Sequence, residues 1–159
     1  KHHGTVYQII GDVVPASGTN VVLYLENEHN TSNFTITHIR IQALDLSGGK
    51  ILPSTETYFQ FGFGPTYTSG GTDIKNNAVN VNRSSANTAN ITAYDNDPTL
   101  TGTFSEIDRW YVTNDESMTT FNKHGSIIIP KNKAFICRFI TDNSAGLAYC
   151  RSTFMFLSK

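Results

Sequence analysis

Ala134-Phe135-Ile136-Cys137-Arg138-Phe139-Ile140, and after a polar break Leu147-Ala148-Tyr149-Cys150-Arg151-Ser152-Thr153-Phe154-Met155-Phe156-Leu157, decide the fold. Successive side chains of a strand point to opposite faces. On that rule Phe135, Cys137, Phe139, Ala148, Cys150, Phe154 and Phe156 share an apolar face. The opposite face holds Ile136, Arg138, Ile140, Leu147, Tyr149, Arg151 and Met155 and is expected to meet solvent or a partner. A tight loop at Asp142-Asn143-Ser144-Ala145 would join the two strands as a hairpin, opposing Phe139 to Ala148 and Cys137 to Cys150. Two readings of the cysteines stay open: a cross-strand disulfide, or two buried free thiols acting as small hydrophobes.

The same alternation recurs outward from this pair. Thr5 to Ile10, Asn20 to Glu26, Phe34 to Leu44, Tyr58 to Phe63, Arg109 to Thr113 and Ser126 to Ile129 read as further strands. Turn residues separate several of them, at Pro15 to Gly18, Ser47-Gly48-Gly49 and Pro130-Lys131-Asn132-Lys133. In Phe34 to Leu44 the apolar phase changes: Phe34 and Ile36 have one parity, Ile39, Ile41 and Ala43 the other. Both sets can face inward only if one residue is inserted, so a β-bulge is expected near Thr37-His38. Helical spacing is nowhere sustained, the best candidate being a short turn at Ser105 to Asp108.

Residues 64 to 103 interrupt the pattern with a long Asn/Thr/Ser/Gly-rich region, in which short strands are expected at Ala78 to Asn82 and Asn90 to Tyr94. The expectation is an all-β, jelly-roll-like antiparallel β-sandwich over residues 1–159, with about eight strands and this polar middle. The expected core is Val21, Leu23, Leu25, Ile39, Ile41, Phe59, Phe61, Ile128, Phe135, Cys137, Phe139, Phe154 and Phe156.

Composition narrows the functions. Lys+Arg 12 against Asp+Glu 13 leaves no basic field for nucleic acid. Only 16% of residues are charged, against roughly 25% in an ordinary domain, so burial of surface in an assembly is favoured. No stretch approaches the ~20 apolar residues of a membrane helix, so no membrane partner is expected. No signal peptide is visible, and a start at Lys1 rather than Met reads as processing or an excerpt.

Chemistry-bearing motifs are weak. His2, His3, His29, His38 and His124 are dispersed, and neither they nor Cys137 and Cys150 have zinc spacing, so no metal or other cofactor is expected. Asp95-Asn96-Asp97 alternates like a calcium loop, but its sixth position is Leu100 where glycine is needed, and a polar turn is the better reading. Glu106 and Asp108 lack surroundings that would split their acidities, and no nucleophile elbow or phosphate loop occurs. The chain is therefore read as not an enzyme. Sequons at Asn30, Asn33, Asn82 and Asn90 are what chance gives in so Asn/Ser/Thr-rich a chain. Trp110, Tyr111, Tyr67 and Tyr94, with Tyr58, are the candidates for a glycan-stacking platform, the basis of an alternative carbohydrate- or receptor-binding role outside the cell.

With the strands in place, the chain resembles the small jelly-roll proteins that decorate or cement tailed-phage capsids, and more loosely other phage virion surface modules. The resemblance lies in Val22-Leu23-Tyr24-Leu25-Glu26-Asn27, Phe34-Thr35-Ile36-Thr37-His38-Ile39-Arg40-Ile41, Ile127-Ile128-Ile129-Pro130-Lys131-Asn132-Lys133 and Arg151-Ser152-Thr153-Phe154-Met155-Phe156. It covers the two ends of the chain and leaves the middle third unmatched. It implies a non-catalytic virion structural protein on the capsid surface, homo-oligomeric (a trimer being the familiar form), bound to other capsid proteins through loops and termini.

Overall fold

The computed structural model describes residues 5–45, 57–82, 84–112, 118–142 and 147–158. The strands are β1 (Thr5–Val13), β2 (Gly18–Asn27), β3 (Phe34–Asp45), β4 (Tyr58–Phe63), β5 (Thr66–Ser69), β6 (Thr72–Asp73), β7 (Val79–Asn80), β8 (Ile91–Asp95), β9 (Thr99–Thr101), β10 (Ser105–Tyr111), β11 (Thr119–Ile129), β12 (Ala134–Thr141) and β13 (Leu147–Ser158). One single-turn 3-10 helix, Lys75–Asn77, is the helical content of the described residues. No helix among them is long and apolar enough to cross a membrane, which says nothing of membrane β-barrels.

Two antiparallel sheets pack face to face. The five-stranded sheet runs β11-β3-β13-β1-β7 and the six-stranded sheet β10-β4-β12-β2-β8-β6, with β5-β9 as a separate ribbon. Pairing β1 with β13, β2 with β12, β3 with β11 and β4 with β10 makes a long two-armed hairpin. Rolled up, its alternate pairs fall in opposite sheets, which is the jelly roll.

The inner faces meet through aromatic contacts. Phe135 on β12 lies 5.0 Å from Phe154 on β13 across the sandwich, and Phe59 lies 4.9 Å from Phe139 within its own sheet. Phe34 and Phe156 pack at 5.0 Å, and all six rings are buried. The inward alternation of β12 and of β13 beyond Cys150 is as expected, but their partnership is not. β12 has β2 on one edge and β4 on the other, and β13 has β1 and β3. The two strands therefore face one another across the core and do not form a hairpin. Residues 143–146 of the expected tight loop, and Ser47-Gly48-Gly49, lie outside the described residues.

The bulge in β3 is where the phase change put it. Met155 opposes His38 while Phe156 opposes Ile36, leaving Thr37 as the inserted residue, and its hydroxyl donates to the Met155 carbonyl at 3.1 Å. A second bulge is invisible to parity. Cys137 opposes Leu23 but Arg138 opposes Val21, so Val22 is extra and turns into the core. Val21 is then buried on the outer face rather than in the main core. Ile128 also departs from expectation: it is 51% exposed, while Ile127 and Ile129 point inward. The turn expected at Ser105 to Asp108 is part of β10, with a bulge at Ile107.

The polar middle is ordered into an insertion between the arms. It sends β8 to the edge of β2, β6 to β8, and β7 to the edge of β1. The expected short strands are present as β7 and β8, and β5, β6 and β9 are additional. Of its apolar residues, Ile74, Ile91 and Ala93 join the main core, while Val79 and Val81 stay exposed. The β5–β9 ribbon region lies over the outer face of the six-stranded sheet, where Tyr67, Tyr94, Leu100 and Phe104 pack on Val21, Tyr24, Ala134 and Ile136. Part of the face expected to meet solvent or a partner is thus covered by the chain itself.

Phe139→Ala should lower unfolding stability by about 3–5 kcal/mol through the cavity it leaves. Urea denaturation checks this, and an unchanged midpoint would mean that β12 has the wrong face inward.

Candidate functional site

At the β10 side of the six-stranded sheet, Arg109, Gln60 and Arg138 fall in one row, since Arg109 opposes Gln60 and Gln60 opposes Arg138. The Gln60 carbonyl oxygen accepts from Arg138 Nε at 3.2 Å and Nη2 at 2.6 Å, and its amide donates to Glu106. Arg109 grips Glu106 through Nη2 at 2.8 Å and Nε at 3.1 Å. The guanidinium of Arg109 also lies 4.1 Å from the Tyr58 ring centre, and that of Arg138 lies 3.7 Å from Phe104. Phe104 and β10 come this close because residue 62 is glycine: a Cβ there would stand 2.1 Å from the Ser105 carbonyl oxygen.

The Arg109 guanidinium holds the Glu106 carboxyl below its ordinary range, with a smaller contribution from the Gln60 amide. It stays ionised and spent on its neighbours, which is unsuited to a proton donor. Asp108 lies beyond the Ile107 bulge, opposes the inward Phe61 and pairs with Lys123 of β11. The two carboxylates point to opposite sides of β10 and do not converge. Asp95-Asn96-Asp97 is a structural turn: Asp95 Oδ2 accepts from Asp12 N at 2.9 Å and Asp97 Oδ1 from Val21 N at 2.7 Å. Among the described residues no group of three or more His, Cys, Asp or Glu is placed to hold a metal ion. His2 and His3 lie outside those residues.

Cys137 and Cys150 are free and buried, in opposite sheets rather than on adjacent strands. Burial pushes the Cys137 thiol up to about 12 and raises Cys150 as well, so neither is a thiolate at neutral pH.

The aromatic candidates do not form one platform. Tyr67 and Tyr94 stack on each other, centroids 3.7 Å apart and planes within 2°. Trp110 and Tyr111 sit on β10, across β4, β12 and β2 from β8, which is about 19 Å at ~4.8 Å per strand. Even these neighbours diverge: Trp110 opposes inward Phe59 and meets Phe121 edge-on, while Tyr111 opposes outward Tyr58.

Exposed apolar side chains also lie along β10 and β11, which are sheet edges among the described residues: Ile107, Trp110, Tyr111, Met118 and Ile128. A second feature, a polar groove of about 450 Å³, opens between residues 29–34 and 86–90 at the end of β1 and β13. Sequence reading missed both. Edge position depends on strand order, and the groove residues read only as low-complexity polar loop. No family model, curated protein or solved structure matches the chain.

Glu106→Gln should reduce stability at pH 7 by about 0.5 kcal/mol, the scale of a solvent-screened ion pair. A carboxyl depressed on folding stabilises above its unfolded pKa, and that contribution is lost as pH falls through the folded value. The variant and the parent should therefore converge in acid well below the carboxylate range. Urea melts at both pH values check this, and a difference that persists in acid would contradict it.

Proposed function

We propose that this chain is a non-catalytic structural component of a virion, a decoration or cement protein of the capsid surface that contacts the shell through loops and termini and associates with copies of itself. The observation that carries the reading is an asymmetry of the jelly roll. One side, at β1 and β2, gains the short strands β7 and β8 from the insertion and, of large apolar residues, exposes only aliphatic ones such as Ile10 and Val79. The other, at β10 and β11, has no further strand paired to it among the described residues and exposes Trp110 and Tyr111 beside Ile107, Met118 and Ile128.

Exposed edges invite pairing with other chains. Here the ladder-forming capacity is blunted: β10 is bulged at Ile107 and carries Glu106, Asp108 and Arg109. β11 is irregular between Asn122 and Ile127, where His124 and Gly125 have φ of 47° and 76°. Side-chain packing against a neighbour is favoured over a continuous intermolecular sheet. Low overall charge lessens repulsion between copies and suits such contacts. Fold alone does not assign function, and jelly rolls serve in capsids and lectins alike. The weight therefore rests on the edge surface.

Native mass measurement should give a closed homo-oligomer, a trimer being one such form. The double variant Ile107→Glu, Met118→Glu should run as a monomer with an unchanged thermal melt. A parent protein that is monomeric at micromolar concentration and does not bind assembled shells would overturn the proposal.

A further inference from the structure

We propose that the groove between residues 29–34 and 86–90 is a binding site for a neutral, hydroxyl-rich ligand, a short saccharide. The inference goes beyond the scaffold role and does not depend on the oligomer.

The volume of about 450 Å³ falls in the ~300–1,000 Å³ range of small-molecule sites. Among the described residues, none that lines the groove is Asp, Glu, Lys or Arg. That lining presents no guanidinium or ammonium to hold a phosphate and no carboxylate to hold an ammonium. Its polar groups are those that match hydroxyls. His29 Nδ1 accepts from Ser32 N at 3.1 Å and Thr31 N at 3.3 Å, so a neutral ring carries its proton on Nε2 as a donor. Asn90 donates its amide to the Glu28 carbonyl at 3.0 Å, and Asn87 donates to Thr5 Oγ1 at 3.4 Å. Those bonds fix both amides and leave the Oδ1 atoms as acceptors. Thr88 adds a hydroxyl able to donate and accept.

The walls are held in place before any ligand arrives. Asn80 Nδ2 donates to the Asn87 carbonyl at 2.9 Å, and Glu28 N to the Asn90 carbonyl at 3.1 Å. The 86–90 segment is thereby tied to the insertion on one side and to the β2–β3 connection on the other. Tyr7 and Phe34 also line the groove, both packed on Phe156, at 5.4 Å and 5.0 Å. Tyr7 and Phe34 are themselves buried, so recognition rests on these fixed donors and acceptors meeting the hydroxyls of a sugar ring, and preorganisation lowers the cost of binding it.

The test is saturation-transfer NMR on the whole protein with neutral hexoses, N-acetylhexosamines and their disaccharides, followed by calorimetric titration. At least one should bind with millimolar to micromolar affinity. Asn87→Ala should weaken it by about tenfold, and Thr88→Trp, which fills the groove, should abolish it. Tyr111→Ala, on a distant edge, should leave it unchanged, and thermal melts should show all three variants folded. The proposal is overturned if no saccharide gives transfer, or if binding survives both groove variants.

Discussion

The ladder between β1 and β13 is the constraint on which the rest of this molecule depends. It runs from Thr5 opposite Ser158 to Val13 opposite Cys150 without a register shift, and it joins the two ends of the described chain. With those ends paired antiparallel, β2 with β12, β3 with β11 and β4 with β10 follow as successive rungs of one hairpin. Rolling that hairpin buries the inner face of most arm strands, β10 at its sheet edge having no buried residue. The side chains available for burial are largely phenylalanine and β-branched residues, the types that fit a pleated surface. Inner-face phenylalanines from β12 and β13 then interlock across the core, which is why these strands lie in opposite sheets although they are close in sequence.

The polar middle third takes its meaning from this frame. A jelly roll has open edges, and unpaired strand edges attract other chains. The insertion covers part of two of them with main-chain ladders, using carboxylates of the Asp95-Asn96-Asp97 turn to hold Asp12 and Val21 amides. Little apolar material is needed for that, since backbone hydrogen bonds and a few anchors such as Ile74 and Ile91 suffice. The same segment packs Tyr67, Tyr94, Leu100 and Phe104 over the outer face of the six-stranded sheet and supplies one wall of the groove. The composition that looks like disorder or linker is here a second structural layer.

How far this was legible in the sequence varies with the kind of information needed. Strand identity and the Thr37 bulge could be read because parity is local, and Phe34/Ile36 and Ile39/Ile41 disagree in phase. The Val22 bulge could not be read, because Val21, Val22 and Leu23 are all apolar and any phase satisfies them. Ile127-Ile128-Ile129 hides its phase for the same reason. Strand order is a long-range property: nearness in sequence favours a β12–β13 hairpin, whereas the fold places the two strands in opposite sheets. The candidate sites suffered most. Trp110, Tyr111, Tyr67 and Tyr94 shared a chemical type but were separated by the topology, while His29, Asn87 and Asn90 were brought together by it.

Cross-strand nuclear Overhauser contacts in solution test the rolled hairpin most directly. The account predicts main-chain contacts between Ile9 and Phe154 and between Leu23 and Cys137, which are ladder partners here. Main-chain ladder contacts between Phe139 and Ala148, with Cys137 opposite Cys150, would place β12 beside β13 and contradict it.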